Sequence, residues 1–196
     1  MSAVRRTLVA MDDETLTDRL SLRRPTDADF AAVHAIHADP RVWLHYPTLR
    51  HADTAPTERM FARWDAAWNE AGLGSWIVRL RATGEIIGAG GCTLLPAEPG
   101  ARVWNLGYRI SADHHGHGYA TELAWAAVAA ARVRSPQAPI IAYLVEHNRA
   151  SAAVAEKVGL RLVHRAPDAG NPDPDVIRLV YADRELSDAQ LATTLR

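Results

Sequence analysis

The segment YATELAWAAVAAA (Tyr119–Ala131) is apolar on almost every side. A helix without a wet face must be covered, and a sheet is a surface broad enough to cover it. The segment is fed by the loop SADHHGHG (Ser111–Gly118), and it is followed by PIIAYLVE (Pro139–Glu146), an apolar run of strand character. Strand, loop, covered helix and strand dictate a layered chain of the α/β or α+β class.

The flanking sequence supplies the other layers. RLSLRRP (Arg19–Pro25) alternates Leu20 and Leu22 with polar neighbours, as a half-buried strand does. Thr26, three residues ahead of Asp29, resembles a capping box opening a helix through Phe30, Val33 and Ile36. A second helix is expected from about Thr54 to Ala71, with Pro56 in its first turn. GSWIVRLRATGEIIGAGGCTLL reads as a hairpin turning at Thr83-Gly84, and RVWNLGYRI as the next strand. After the covered helix and PIIAYLVE come a short helix, NRASAAVAEKV, stopped by Gly159, and two closing strands, LRLVHRA and DVIRLVYA. Residues 1–17 read as a polar lead-in, 18–183 as the domain and 184–196 as a tail.

Composition narrows the function. Lys plus Arg number 22 against 23 for Asp plus Glu, without a basic stretch, so a polyanionic partner such as nucleic acid is not expected. The single cysteine, Cys92, excludes an internal disulfide and a multi-cysteine zinc site. No apolar run approaches a membrane span, so the expected setting is cytoplasmic.

Two readings of the loop compete. Asp113, His114, His115 and His117 are ligand types for a transition metal, but neighbours in sequence diverge and no pair stands one helical turn apart. The alternative lies in the backbone. Gly116 and Gly118 precede a helix whose first N–H groups have no partners, so an anion such as a diphosphate fits there. A Rossmann fingerprint would need a third glycine and an earlier place in the chain.

HHGHGYATE and HNRASAAVAEKVGL together decide the resemblance. The chain resembles the GNAT superfamily of acyl-CoA-dependent N-acyltransferases, particularly its RimJ/RimL-like branch, over about Arg19 to Tyr181. LSLRRPTDADF and WNLGYRI match in kind and order. The resemblance implies a central, mixed, mostly antiparallel sheet with splayed central parallel strands, flanked by about four helices. It departs from the family at His115, where Gln or Arg is usual, at Leu160, where an aromatic is frequent, and at Asn105, where many relatives carry Glu.

The resemblance also implies the ligand: acetyl-CoA as co-substrate, with no metal cofactor. Its diphosphate is expected over the N–H groups from Gly116 to Thr121, through His117, Gly118, Tyr119 and Ala120, with His115 beside them. The pantetheine arm is expected between NLGYRI and IIAYLVE, the thioester carbonyl near the Ile110 N–H, and Asn148 and Ser151 beside the arm. Ser151 is the candidate donor to the departing thiolate, Glu146 a candidate base and Tyr108 a further candidate on the cleft strand. Trp43, His45, Tyr46 and Asn105 are acceptor-side candidates, with His34 and His37 in the same region as possible relays. Trp64 and Trp68, four apart, read as core. The acidic loop PDAGNPDP suits a basic acceptor or a solvated turn.

The expected activity is acetyl transfer to a primary amine, a protein N-terminus or a small amine, by direct attack in a ternary complex. A non-catalytic acyl-CoA sensor and a metal-binding protein using the histidine loop are the alternatives. The expected assembly is a monomer or homodimer.

Overall fold

Leucines 20 and 22 are completely buried, as their alternation requires. They lie in a nine-stranded sheet in the computed structural model, which describes residues 9–11, 14–98, 100–169, 171 and 173–195. The chain runs β1 (Val9–Met11), β2 (Glu14–Leu16), β3 (Leu20–Arg23), α1 (Phe30–Ala38), α2 (Ala55–Ala71), β4 (Ser75–Leu80) and β5 (Ile86–Leu94). It continues through β6 (Trp104–Ile110), α3 (Tyr119–Arg134), β7 (Ile140–Val145), α4 (Arg149–Lys157), β8 (Arg161–Pro167), β9 (Ile177–Ala182) and α5 (Asp188–Thr194). Strand order is β1-β2-β3-β4-β5-β6-β7-β9-β8. Every neighbouring pair is antiparallel except β6–β7.

Alternation along the strands separates two faces. Trp76, Val78, Leu106, Ile140 and Ala142 join the main core with α3 and α4. Ile77 and Ala89 pack with Val33 of α1 and Met60 of α2 on the other face. There Ile141, Val180 and Ala182 also meet the leucines of the C-terminal segment. On α3, Leu123, Ala124, Ala127 and Ala131 are completely buried, and the small alanines let the helix lie close on the sheet. Its far side is not wholly covered: Val133 is 86% exposed.

Two expectations change. Within the expected lead-in, residues 9–11 and 14–16 extend the sheet as β1 and β2, while residues 1–8 and 12–13 lie outside the described residues. The reason is tertiary: three-residue strands carry almost no periodicity of their own, and pairing of β2 with β3 and of β1 with β2 orders them. Beyond 183, α5 is a fifth helix, closed by a capping box between Ser187 and Gln190 and held by Leu191 against the sheet. The Thr26–Asp29 capping box is present and opens a short 3-10 turn that leads into α1.

Candidate active site

The loop before α3 is built by glycine. Gly116 and Gly118 both stand at φ +81°, a left-handed conformation that other residues rarely adopt, and it curls the chain into the helix. The first α3 bond to the preceding loop is Glu122 N–H to Gly118 O at 3.1 Å. Among the described residues no protein acceptor takes the N–H groups of residues 116–121. A row of free donors at the positive end of a sixteen-residue helix fits a diphosphate.

The histidines shape this loop rather than converge. His115 Nε2 lies 2.9 Å from Ile110 O and ties the loop to the end of β6. His117 Nδ1 lies 2.9 Å from His115 O, and its ring stacks on Tyr119. Arg19 locks the same corner, donating to His117 O at 2.9 Å and to Glu122 Oε2 at 2.7 Å. Among the described residues no group of three or more His, Cys, Asp or Glu is placed to hold a metal ion.

Below the loop the sheet opens. β6 and β7 pair only at Trp104–Ile140 and Asn105–Ile141. Ser111 N–H bonds toward β5 and Trp104 N–H toward β7. Strand alternation therefore turns the N–H groups of Leu106, Tyr108 and Ile110 toward β7; the Asn105–Ile141 pairing takes that of Leu106, and those of Tyr108 and Ile110 face the opening. A slot of about 450 Å³ lies there, lined by Leu106, Tyr108, Ala142, Leu144, Asn148 and Ser151. It continues into a cleft of about 440 Å³ beside His115, Ala120 and Arg149. Asn148 caps α4, accepting the Ser151 N–H through Oδ1 at 3.1 Å. Tyr108 donates weakly to Ser151 O at 3.5 Å, and burial pushes its phenol up. The Ser151 side chain also meets the Tyr108 phenol, an interaction that opposes the upward push of burial.

On the opposite face Asn105, Gly107 and Arg109 stand in line, since Arg109 pairs with Ala89, which belongs to that face. A second cleft of about 570 Å³ meets them, walled by His37, Trp64, Glu70 and Tyr143. The Arg109 guanidinium lies 3.7 Å over the Trp43 ring, and Nη1 donates to Val42 O at 2.7 Å. Burial lowers Arg109 to about 10, so it stays a cation at neutral pH. Burial, reinforced by neighbouring charges, lowers His37 to about 3 and His45 to about 4, so both imidazoles are neutral there. Cys92 is completely buried and burial pushes its thiol up, which removes it as a nucleophile.

A family model described as "Acetyltransferase (GNAT) domain" matches residues 19–161. The chain belongs to the GNAT acetyltransferases. YkkB of Bacillus subtilis (strain 168), a protein itself uncharacterised, is 33% identical over 149 residues, 74% of this chain and 83% of that one. The crystal structure of an acetyltransferase from Agrobacterium tumefaciens strain C58 is also 33% identical, with a TM-score of 0.70 over 92% of this chain and 99% of that one. RimL, a ribosomal L7/L12 alpha-N-protein acetyltransferase solved with coenzyme A, shares the fold at 18% identity, with a TM-score of 0.67 over 88% of this chain and 96% of that one.

In this GNAT chain five of the expected cofactor residues, Ile110, His115, Ala120, Asn148 and Ser151, line the cleft of about 440 Å³ that leads into the slot, while Gly116, His117, Gly118, Tyr119 and Thr121 line neither and belong to the loop and first turn of α3. Tyr108 joins them, and Asn105 floors the acceptor-side cleft. His45 and Tyr46 line the slot, while Trp43 lies beneath Arg109 and donates to His37 O at 2.7 Å. Glu146 stands apart. Arg165 holds it at 2.7 and 3.0 Å on the surface and keeps its carboxyl below the usual range, and it lines none of the three clefts. Asp168, from the acidic loop, pairs with Arg178 at 2.6 Å, while residues 170 and 172 of that loop lie outside the described residues.

Arg41, Arg109 and Arg149 were not among the expected site residues, and all three line the cofactor-side cleft. For Arg109 a signal existed: two-residue alternation from Asn105 puts both on one face. For Arg41, which bonds Asp113 across 72 positions at 2.7 Å, no local pattern marks the contact.

Proposed function

We propose that the chain moves acetyl from acetyl-CoA to a primary amine by direct attack while both are bound. The observation that carries this reading is the row of free N–H groups at residues 116–121, running into an opened sheet whose other face holds a second cleft. Acetyl-CoA supplies the activated acetyl carbonyl and a thiol leaving group. The α3 terminus would hold its diphosphate, and the free edges of β6 and β7 its pantetheine.

The protein's own groups divide the work. The Ile110 N–H faces the opening, suited to the charge that develops on the carbonyl oxygen during attack. The new bond joins the amine nitrogen to the carbonyl carbon, and the carbon–sulfur bond breaks. The departing sulfur then takes a proton. Tyr108 is held protonated by burial, and Ser151 carries a hydroxyl beside it in the same slot, so both suit that donation. The acceptor nitrogen must be neutral to attack. Among the described residues the only carboxylates lining the two clefts that meet at Arg109 on the acceptor face are Glu70 and Asp168, each already paired with an arginine.

Incubation with acetyl-CoA and a panel of peptides and small amines, followed by thiol release and product mass, tests this. Acetylated product with stoichiometric thiol is the expected result. Thermal protection by coenzyme A without turnover of any amine would favour the sensor instead.

A further inference from the structure

We infer that the amine acceptor also carries an oxyanion, a carboxylate or a phosphate, and that Arg109 receives it. This rests on the acetyl-transfer reading and names its substrate class. Arg109 borders the acceptor-side cleft, the slot and the cofactor-side cleft alike, so it stands where they meet.

Its bonding is incomplete. Nη1 donates to Val42 O and lies 3.2 Å from His45 Nε2. Nε is buried without an acceptor, and Nη2 has no hydrogen bond among the described residues. No carboxylate pairs with it among those residues, and the carboxylates of the adjoining clefts are committed: Asp168 to Arg178 at 2.6 Å, Glu70 to Arg102 at 3.5 Å. A half-buried cation without a counter-ion is costly. Here it is fixed in place by the Trp43 stack and the Val42 carbonyl, which hold the guanidinium without neutralising it.

The surroundings do not supply the missing charge. His37, His45 and His51 are all shifted toward the neutral form, chiefly by burial, and Tyr108 stays protonated. Arg63, on the rim, adds a second positive charge. A Cβ on Gly107, two residues along the same face, would meet nothing within 4 Å, so there is open space beside the guanidinium. A polyamine entering this cleft meets repulsion, whereas a zwitterion brings the countercharge the site lacks.

Matched acceptors test the inference at saturating acetyl-CoA: phenylalanine against phenylalaninamide, and O-phosphoethanolamine against ethanolamine. Wild type should prefer the anionic member of at least one pair by about tenfold or more in kcat/KM. R109Q should bring that preference within about threefold, mainly through KM, and R109K should keep part of it. Protection of the melting temperature by coenzyme A, measured on each variant, reports the fold and the cofactor cleft separately. R109K carries the comparison if R109Q loses that protection. If no amine is acetylated, binding of 3-phenylpropionate against 3-phenylpropanamide decides, with the acid expected to bind about tenfold tighter. Equal rates within both pairs, preference for the uncharged members, equal losses on both members in R109Q, or equal binding of acid and amide would each overturn the inference. Failure of coenzyme A to protect wild type would count against the transferase reading, and the acid–amide comparison on the free chain would still decide the charge preference.

Discussion

Asn148 shows how one side chain can serve the fold and the slot together. Its Oδ1 takes the Ser151 N–H at 3.1 Å, and the same residue lines the opening. Asn148→Ala should cost about 1 kcal/mol of stability and weaken coenzyme A binding, whereas Asn148→Asp should keep the cap; melting curves with and without coenzyme A check both. At the sulfur end, Tyr108→Phe should lower kcat by about tenfold with little change in KM for acetyl-CoA. Glu146→Gln should leave kcat unchanged in the same assay, because Arg165 already occupies that carboxylate. Asn148 and Ser151 were readable because a cap writes itself into a three-residue spacing. Glu146 could not be judged that way: its partner lies nineteen positions away on another strand. Arg109 was on the correct face by alternation, but its lack of a partner exists only once the whole surroundings are assembled.

The element on which most depends is α3, and its start is held by a buried carboxylate. Glu122 takes the Thr17 hydroxyl at 2.6 Å, the Arg19 N–H at 2.8 Å and the Arg19 guanidinium at 2.7 Å. Burial pushes its carboxyl up, but those hydrogen bonds together outweigh it and leave it below the ordinary value of 4.5. Folding therefore gains from this group above pH 4.5 and loses the gain as pH falls through the lower folded-state value. Glu122→Ala should cost about 2 kcal/mol at neutral pH, a fall of about 4–8 °C in melting temperature, and the loss should shrink in acid. The covered helix and the capping boxes were legible because each is a local pattern of residue types. The short strand β2, which feeds Thr17 and Arg19 toward Glu122, was not, because its order comes from pairing with β3.

Across the molecule, buried imidazoles add a second acid sensitivity. Burial, with the charges of His51, Arg109 and His34, lowers His37 from 6.5 to about 3, and both of its ring nitrogens are buried without partners. Between those values the unfolded chain binds a proton that the folded chain does not, so stability should rise with pH across that window. His37→Phe should flatten this part of the profile, measured as the urea midpoint from acid to neutral pH. The incomplete pairing of β6 and β7 has a further consequence. Amide protons of Tyr108 and Ile110 belong to the middle of a sheet, and they should exchange readily with deuterium until a ligand backbone lies alongside them. A small molecule that binds there should raise the unfolding midpoint with the logarithm of its concentration, by completing an otherwise interrupted ladder.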